Sequence, residues 1–124
     1  MGRDGSLELI DSKPGIIEIM CRGYLREELA SYLPKLEAMV LKRPSVCLLF
    51  NTLSTEGFAV AFPMAHVQPF KRWLGRVPKI AVVHTMVSVG FAVTTVRLAS
   101  GSNLRGFPVR EAGLEWLEAS ETVR

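Results

Sequence analysis

Apolar positions along this chain alternate between continuous or every-second-residue runs, which mark strands, and a spacing of three or four, which marks helices. "LELID" and "GIIEIMC" are β-rich runs separated by "SKPG". Lys-Pro-Gly is turn chemistry, so Leu7 to Asp11 and Ile16 to Cys21 are predicted to form an antiparallel hairpin. From Leu25 the positions Leu29, Tyr32, Leu33, Leu36 and Val40 follow helical spacing. Pro34 lacks a donor and either kinks that helix or starts its second half. Lys42 and Arg43 suit its C-terminal end, and Pro44 stops it.

"SVCLLF" is an apolar run that forms a strand only if both faces are covered, which predicts a central strand ending at Asn51. Thr, Ser, Thr, Glu and Gly then read as a loop up to Gly57, with Ser54 or Thr55 suited to cap a following helix. Phe58 to Leu74 reads as a helical segment broken by Pro63 and Pro69, and Val77 to His84 as a second buried strand. Met86, Val89, Val93 and Val96 have helical spacing within a run whose β-branched residues would also suit a strand; helix is the reading adopted. "GSN" turns into a short strand, Leu104 to Phe107, and Pro108 leads into a helix with Val109, Ala112, Trp116 and Leu117 on its inner face. The order β-β-α-β-α-β-α-β-α predicts one α/β domain over residues 1–124: a single mixed, mostly parallel sheet with an N-terminal hairpin and about four helices.

With 124 residues, 48% hydrophobic and 22% charged, the chain has the composition of one globular domain that buries roughly two-thirds of its unfolded surface. No apolar run approaches the roughly 20 residues that span a bilayer, and "MGRDGS" has no apolar signal core, so a cytoplasmic location is expected. Cys21 and Cys47 lie in apolar runs and are expected in neighbouring strands, reduced and buried.

Charge changes the picture more. Between Glu56 and Glu111 there is no Asp or Glu, whereas Lys71, Arg72, Arg76, Lys79, Arg97, Arg105 and Arg110 fall in that interval. Such an asymmetry attracts an acidic protein, an anionic ligand or nucleic acid, unless acids of the flanking segments pair with it. Nucleic acid is the weakest of these, because no recognition motif or aromatic-basic interleaving accompanies the charge.

In open α/β sheets the ligand crevice lies beyond the carboxyl ends of the strands, here Asn51 to Gly57 after one central strand and His84 to Thr85 after the other. An enzyme fits poorly there. The cationic interval offers no carboxylate as acid, base or metal ligand, His66 and His84 have no partner at ligand spacing, and Ser54 stands in no nucleophile elbow. His84 is expected to be a strand-end histidine bonded to backbone. No metal and no cofactor is expected.

With this element order in place, "YLPKLEAMV", the strand pair "VCLLFN" and "KIAVVH", and the ending "GFPVREAGLEWL" resemble the STAS-like superfamily over roughly Leu7 to Ala119. That superfamily has the fold of sulphate-transporter regulatory domains and anti-sigma-factor antagonists, and the resemblance is to its SpoIIAA-like branch of small bacterial proteins. It implies a regulatory, protein-binding role. In the antagonists the loop after the corresponding strand carries an Asp-Ser-Ser-Gly motif phosphorylated by a partner kinase; here it is "STEG", Ser54 to Gly57, with glycine kept, the Asp missing and Glu56 where a serine would be. The loop is therefore expected to tune binding without being phosphorylated.

Two readings follow. In the first the chain is a non-enzymatic STAS-like interaction module that binds itself, as a homodimer, or an acidic protein. Its binding loop is Asn51, Ser54, Thr55, Glu56, Gly57 and Phe58 with His84, and its apolar interface includes Phe62, Met64, Val87 and Phe91. In the second it carries an apolar or anionic small ligand, as Sec14-type domains carry lipid, with Phe58, Phe62, Met64 and Phe91 lining a pocket and Lys71, Arg72 and Arg76 facing the anionic group.

Overall fold

The computed structural model describes residues 4–119, apart from the side chain of Ser12; residues 1–3 and 120–124 of the predicted domain lie outside the described residues. Five strands form one sheet in chain order: β1 (Ser6–Lys13), β2 (Ile16–Leu25), β3 (Cys47–Phe58), β4 (Ile80–Val83) and β5 (Leu104–Phe107). β1 and β2 are the antiparallel hairpin, with Gly15 in the left-handed region at the turn, and every later neighbour pair is parallel. This is the mixed, mostly parallel sheet that the alternation predicts.

The helices are α1 (Leu33–Leu41), two short pieces α2 (Ala61–Met64) and α3 (Val67–Arg72), α4 (Val87–Ser100) and α5 (Arg110–Glu118). Pro34 sits in the first turn of α1, where its missing N–H costs nothing, so it starts the helix and bends none. A 3-10 turn over Glu27–Tyr32 precedes it. Leu25, expected to begin the helix, instead ends β2, because the strand continues four residues past Cys21 through Gly23 in the left-handed region. α4 is a helix despite its valines, and Gly101 closes it in the left-handed conformation with its N–H on Arg97 O.

The main core lies between one face of the sheet and α1 to α4, with Leu36, Val40, Phe50, Trp73 and Ile80 at its centre. A smaller core on the other face is closed by α5, which packs Gly113 and Leu117 on Leu49, Ala81 and Val83. A Cβ on Gly113 would stand 3.2 Å from Leu49 Cδ1, so glycine lets α5 approach. Of the inner face predicted for α5, Leu117 is buried and Ala112 and Trp116 are half-buried, but Val109 is exposed, because it is the extended residue before the first turn. Buried Lys79 donates to Trp116 O and Ala119 O, satisfying carbonyls left open at the end of α5.

Both cysteines are free thiols on neighbouring strands; Cys21 is buried, whereas Cys47 is only half-buried because it opens β3 at the sheet rim. Among the described residues no helix is long and apolar enough to cross a membrane.

Candidate functional site

The segment Asn51 to Phe58 is not a loop. β3 runs on through it for the full twelve residues, because β2 supplies a partner as far as Leu25, paired with Phe58. β4 stops at Val83, opposite Asn51, so the second half of β3 stands against β2 alone, with two register shifts that mark bulges. Ser54 and Glu56 point to solvent and Thr55 is buried between them, the alternation of a strand with one covered face. No helix starts at Ser54 or Thr55, so neither caps one.

Each expected site residue has a definite place. Asn51 is buried; its Nδ2 donates to Glu18 Oε2 at 3.4 Å and its Oδ1 accepts from Leu53 N at 3.2 Å. Thr55 Oγ1 donates to Cys21 O at 3.5 Å. Gly57 lies against the Tyr24 ring, where a Cβ would stand 3.1 Å from a ring carbon. His84 is the backbone-bonded strand-end histidine that was expected, its Nδ1–H on Met86 O at 3.2 Å, and its ring lies against Gly90 and Gly106 on the β5 side, whereas Thr55 and Phe58 stand on the part of β3 that pairs with β2. The structure therefore divides the predicted site in two.

Most cations of the interval are held by neighbouring groups, but only Arg72 and Arg110 meet a carboxylate among the described residues. Arg72 makes a two-point bond to Glu37, at 3.2 Å from Nε and 3.0 Å from Nη2. Arg76 donates to Arg43 O at 2.7 Å and Arg97 to Leu104 O at 3.2 Å. Lys71 is exposed at the end of α3. Lys71, Arg72 and Arg76 thus do not converge on an anion. Arg76 O accepts from Val46 N, which places this group at the start of β3, the end of the sheet remote from Phe58.

Two buried polar pairs escaped the sequence reading. Glu18, the one acid inside "GIIEIMC", is buried on the α5 face and receives Arg110 at 3.0 and 2.6 Å. Those bonds hold its carboxyl below the usual range despite burial, with Asn51 adding to them. On the other face His66, 4% exposed, has Nε2 2.8 Å from Tyr32 Oη and Nδ1 2.9 Å from Phe62 O. A carbonyl only accepts, so Nδ1 carries the proton and Nε2 accepts from the tyrosine, which makes the imidazole neutral. Burial pushes its pKa down to about 4 and that of the Tyr32 hydroxyl well above 10. Phe50, Phe62 and Phe70 surround the ring edge-on, with centroids 4.9–5.7 Å away.

This histidine lines an apolar cavity of about 80 Å³ between the sheet and α2, α3 and α4. Phe58 and Phe62 belong to its wall as expected; Met64 and Phe91 do not. Its half-exposed wall residues, Thr52, Phe58, Pro63 and Ala92, mark a mouth between α2 and α4 at the far end of β3.

An apolar surface is exposed on α4 and in the segment around α2. Phe62 is buried and is no part of it, because α2 turns it into the core. Val60, Val87, Phe91 and Leu98 are 72, 74, 71 and 77% exposed, and Met64 is also exposed. At 100° per residue, Val87, Phe91, Thr94 and Leu98 form a stripe opposite buried Val89, Val93 and Val96. Thr94 and Thr95 turn their hydroxyls back onto Gly90 O and Phe91 O, so the stripe presents no unmet donor.

No protein-family model and no curated protein matches the sequence. Solved structures do match the fold. An anti-sigma factor antagonist from Mycobacterium paratuberculosis superposes with a TM-score of 0.70 over 94% of this chain and 96% of that one, at 14% identity. An uncharacterised protein with a SpoIIAA-like fold from Shewanella loihica gives 0.67 over 91% and 93%, also at 14% identity. At such identity the likeness is one of fold, and the fold of this chain is SpoIIAA-like.

Proposed function

We propose that this chain is a non-enzymatic regulatory module of the STAS type that works by binding protein, and that its first partner is a second copy of itself. The observation that carries the reading is the outer stripe of α4. A helix on a sheet needs one apolar stripe about 100° wide, and α4 has a second one facing solvent. Exposed apolar surface of this kind, rimmed by polar residues, marks an interaction site.

A second copy suits the stripe better than an acidic protein does. In a two-fold contact each residue faces the same surface, so a charged patch would repel its own image. The only charged residue of α4 is Arg97, which is turned to Leu104 O. The fold neighbour that acts as an anti-sigma factor antagonist supports a regulatory role reached through protein contacts. The carrier reading has less support: the cavity is well below the roughly 300 Å³ at which ligand pockets begin, and Arg72 and Arg76 lie away from its mouth and already bonded.

Sedimentation from low micromolar to submillimolar concentration tests the proposal. The wild type should sediment as a dimer, and Phe91→Glu as a folded monomer. A wild type that stays monomeric throughout, or a dimer that survives Phe91→Glu, overturns it.

A further inference from the structure

We propose that the ring of Phe91 from a second copy seats in the mouth of the cavity between α2 and α4, reciprocally across a two-fold axis, so that each cavity is completed only in the dimer. This rests on the self-association proposed above and adds to it the residue and the hole it fills.

The chemistry of the wall defines the occupant. Both nitrogens of His66 are engaged, by Tyr32 Oη and Phe62 O. Thr52 Oγ1 donates to Val83 O at 2.7 Å, and Thr55 Oγ1 to Cys21 O. The remaining wall is hydrocarbon and a buried thiol, including Leu25, Phe70, Val89 and Val93. No side-chain donor is left free inside and the wall is almost wholly apolar, so the occupant is apolar and its specificity must come from contacts outside the mouth. A protein side chain has such contacts; a free small molecule of this size does not.

Size agrees. The cavity of about 80 Å³ is about half the roughly 150 Å³ void that admits benzene, so the inner space takes the leading edge of a ring while the mouth at Thr52, Phe58, Pro63 and Ala92 takes the rest. Phe91 is the only exposed aromatic side chain among the described residues, and it directly precedes Ala92. The two residues point about 100° apart around the helix, so a two-fold axis over the edge of α4 that faces α2 carries each ring toward the other copy's mouth. Val87, Leu98 and Met64 around it supply the apolar border that excludes water from an anchored side chain.

Two cavity-filling variants test this in the full chain, Val93→Phe from the inner wall and Ala92→Leu at the mouth, each checked for folding by circular dichroism. The wild-type dimer is titrated with benzene in parallel. If Phe91 seats in the cavity, at least one folded variant dimerises ten-fold or more weakly than the wild type, although the outer stripe of α4 is untouched, and benzene raises the monomer fraction. A wild-type dimer that both folded variants retain at full strength overturns the inference while leaving self-association standing. So does benzene that binds without shifting the dimer, since the cavity is then a separate small-ligand site. A wild type that never dimerises removes both proposals.

Discussion

Acidification should destabilise this protein over a pH window that belongs largely to one residue. His66 is neutral in the fold, held by a donor on one side and an acceptor on the other among Phe50, Phe62 and Phe70, and its pKa lies near 4 against 6.5 for the free side chain. The unfolded chain binds the proton near pH 6.5, whereas the folded chain resists it until about 4. Stability from this group is therefore complete above pH 6.5 and is lost as the pH falls from 6.5 to 4. The loss is about 1.4 kcal/mol per pH unit, on the order of 3 kcal/mol over the window, a large part of the 5–15 kcal/mol that typically holds a domain. Glu18 and Glu37, whose carboxyls are held down by Arg110 and Arg72, begin to lose their contributions only near 4.5, so the fall between pH 6.5 and 4.5 belongs to the histidine. Urea unfolding near pH 7 and near pH 4.5 measures the difference. In His66→Gln the midpoint should hold nearly constant over that interval, although its starting stability is lower. An undiminished acid slope in the variant, or a flat wild type, refutes the assignment.

The remaining predictions concern the other face and the thiols. Arg110→Ala leaves the buried Glu18 carboxylate with only Asn51 and should cost about 2–3 kcal/mol in urea unfolding, the low end for a broken buried pair because the guanidinium is partly exposed; no loss would mean that water replaces it freely. Cys21, buried and with its pKa pushed up to about 12 by desolvation, should resist thiol reagents in the folded state while half-buried Cys47 reacts, and equal labelling of the two would refute the placement.

The sheet was legible because its signals are local: Lys-Pro-Gly gives the hairpin, and the runs around Leu48 and Ala81 can be strands only under cover on both faces. The second half of β3 was not legible, because Ser54 to Phe58 is held extended by pairing with Arg22 to Leu25, a contact set by register between distant segments. Even so, Ser54, Thr55 and Glu56 do alternate exposed, buried, exposed, a period-two signal hidden by residues that usually make turns. The apolar surplus of α4 could be read from residue counts alone. The surplus of Phe58 to Leu74 could not, since α2 and α3 are too short to have faces and bury Phe62, Val67, Phe70 and Trp73 from several directions. Both misreadings meet at one place. Because β3 continues past Val83, it carries Thr52, Thr55 and Phe58 under α2 and α4, where a loop would have left the space between those helices to solvent. The cavity mouth is thus a consequence of the long strand, and shortening that strand should remove the site while sparing the sheet built on Leu48 to Asn51.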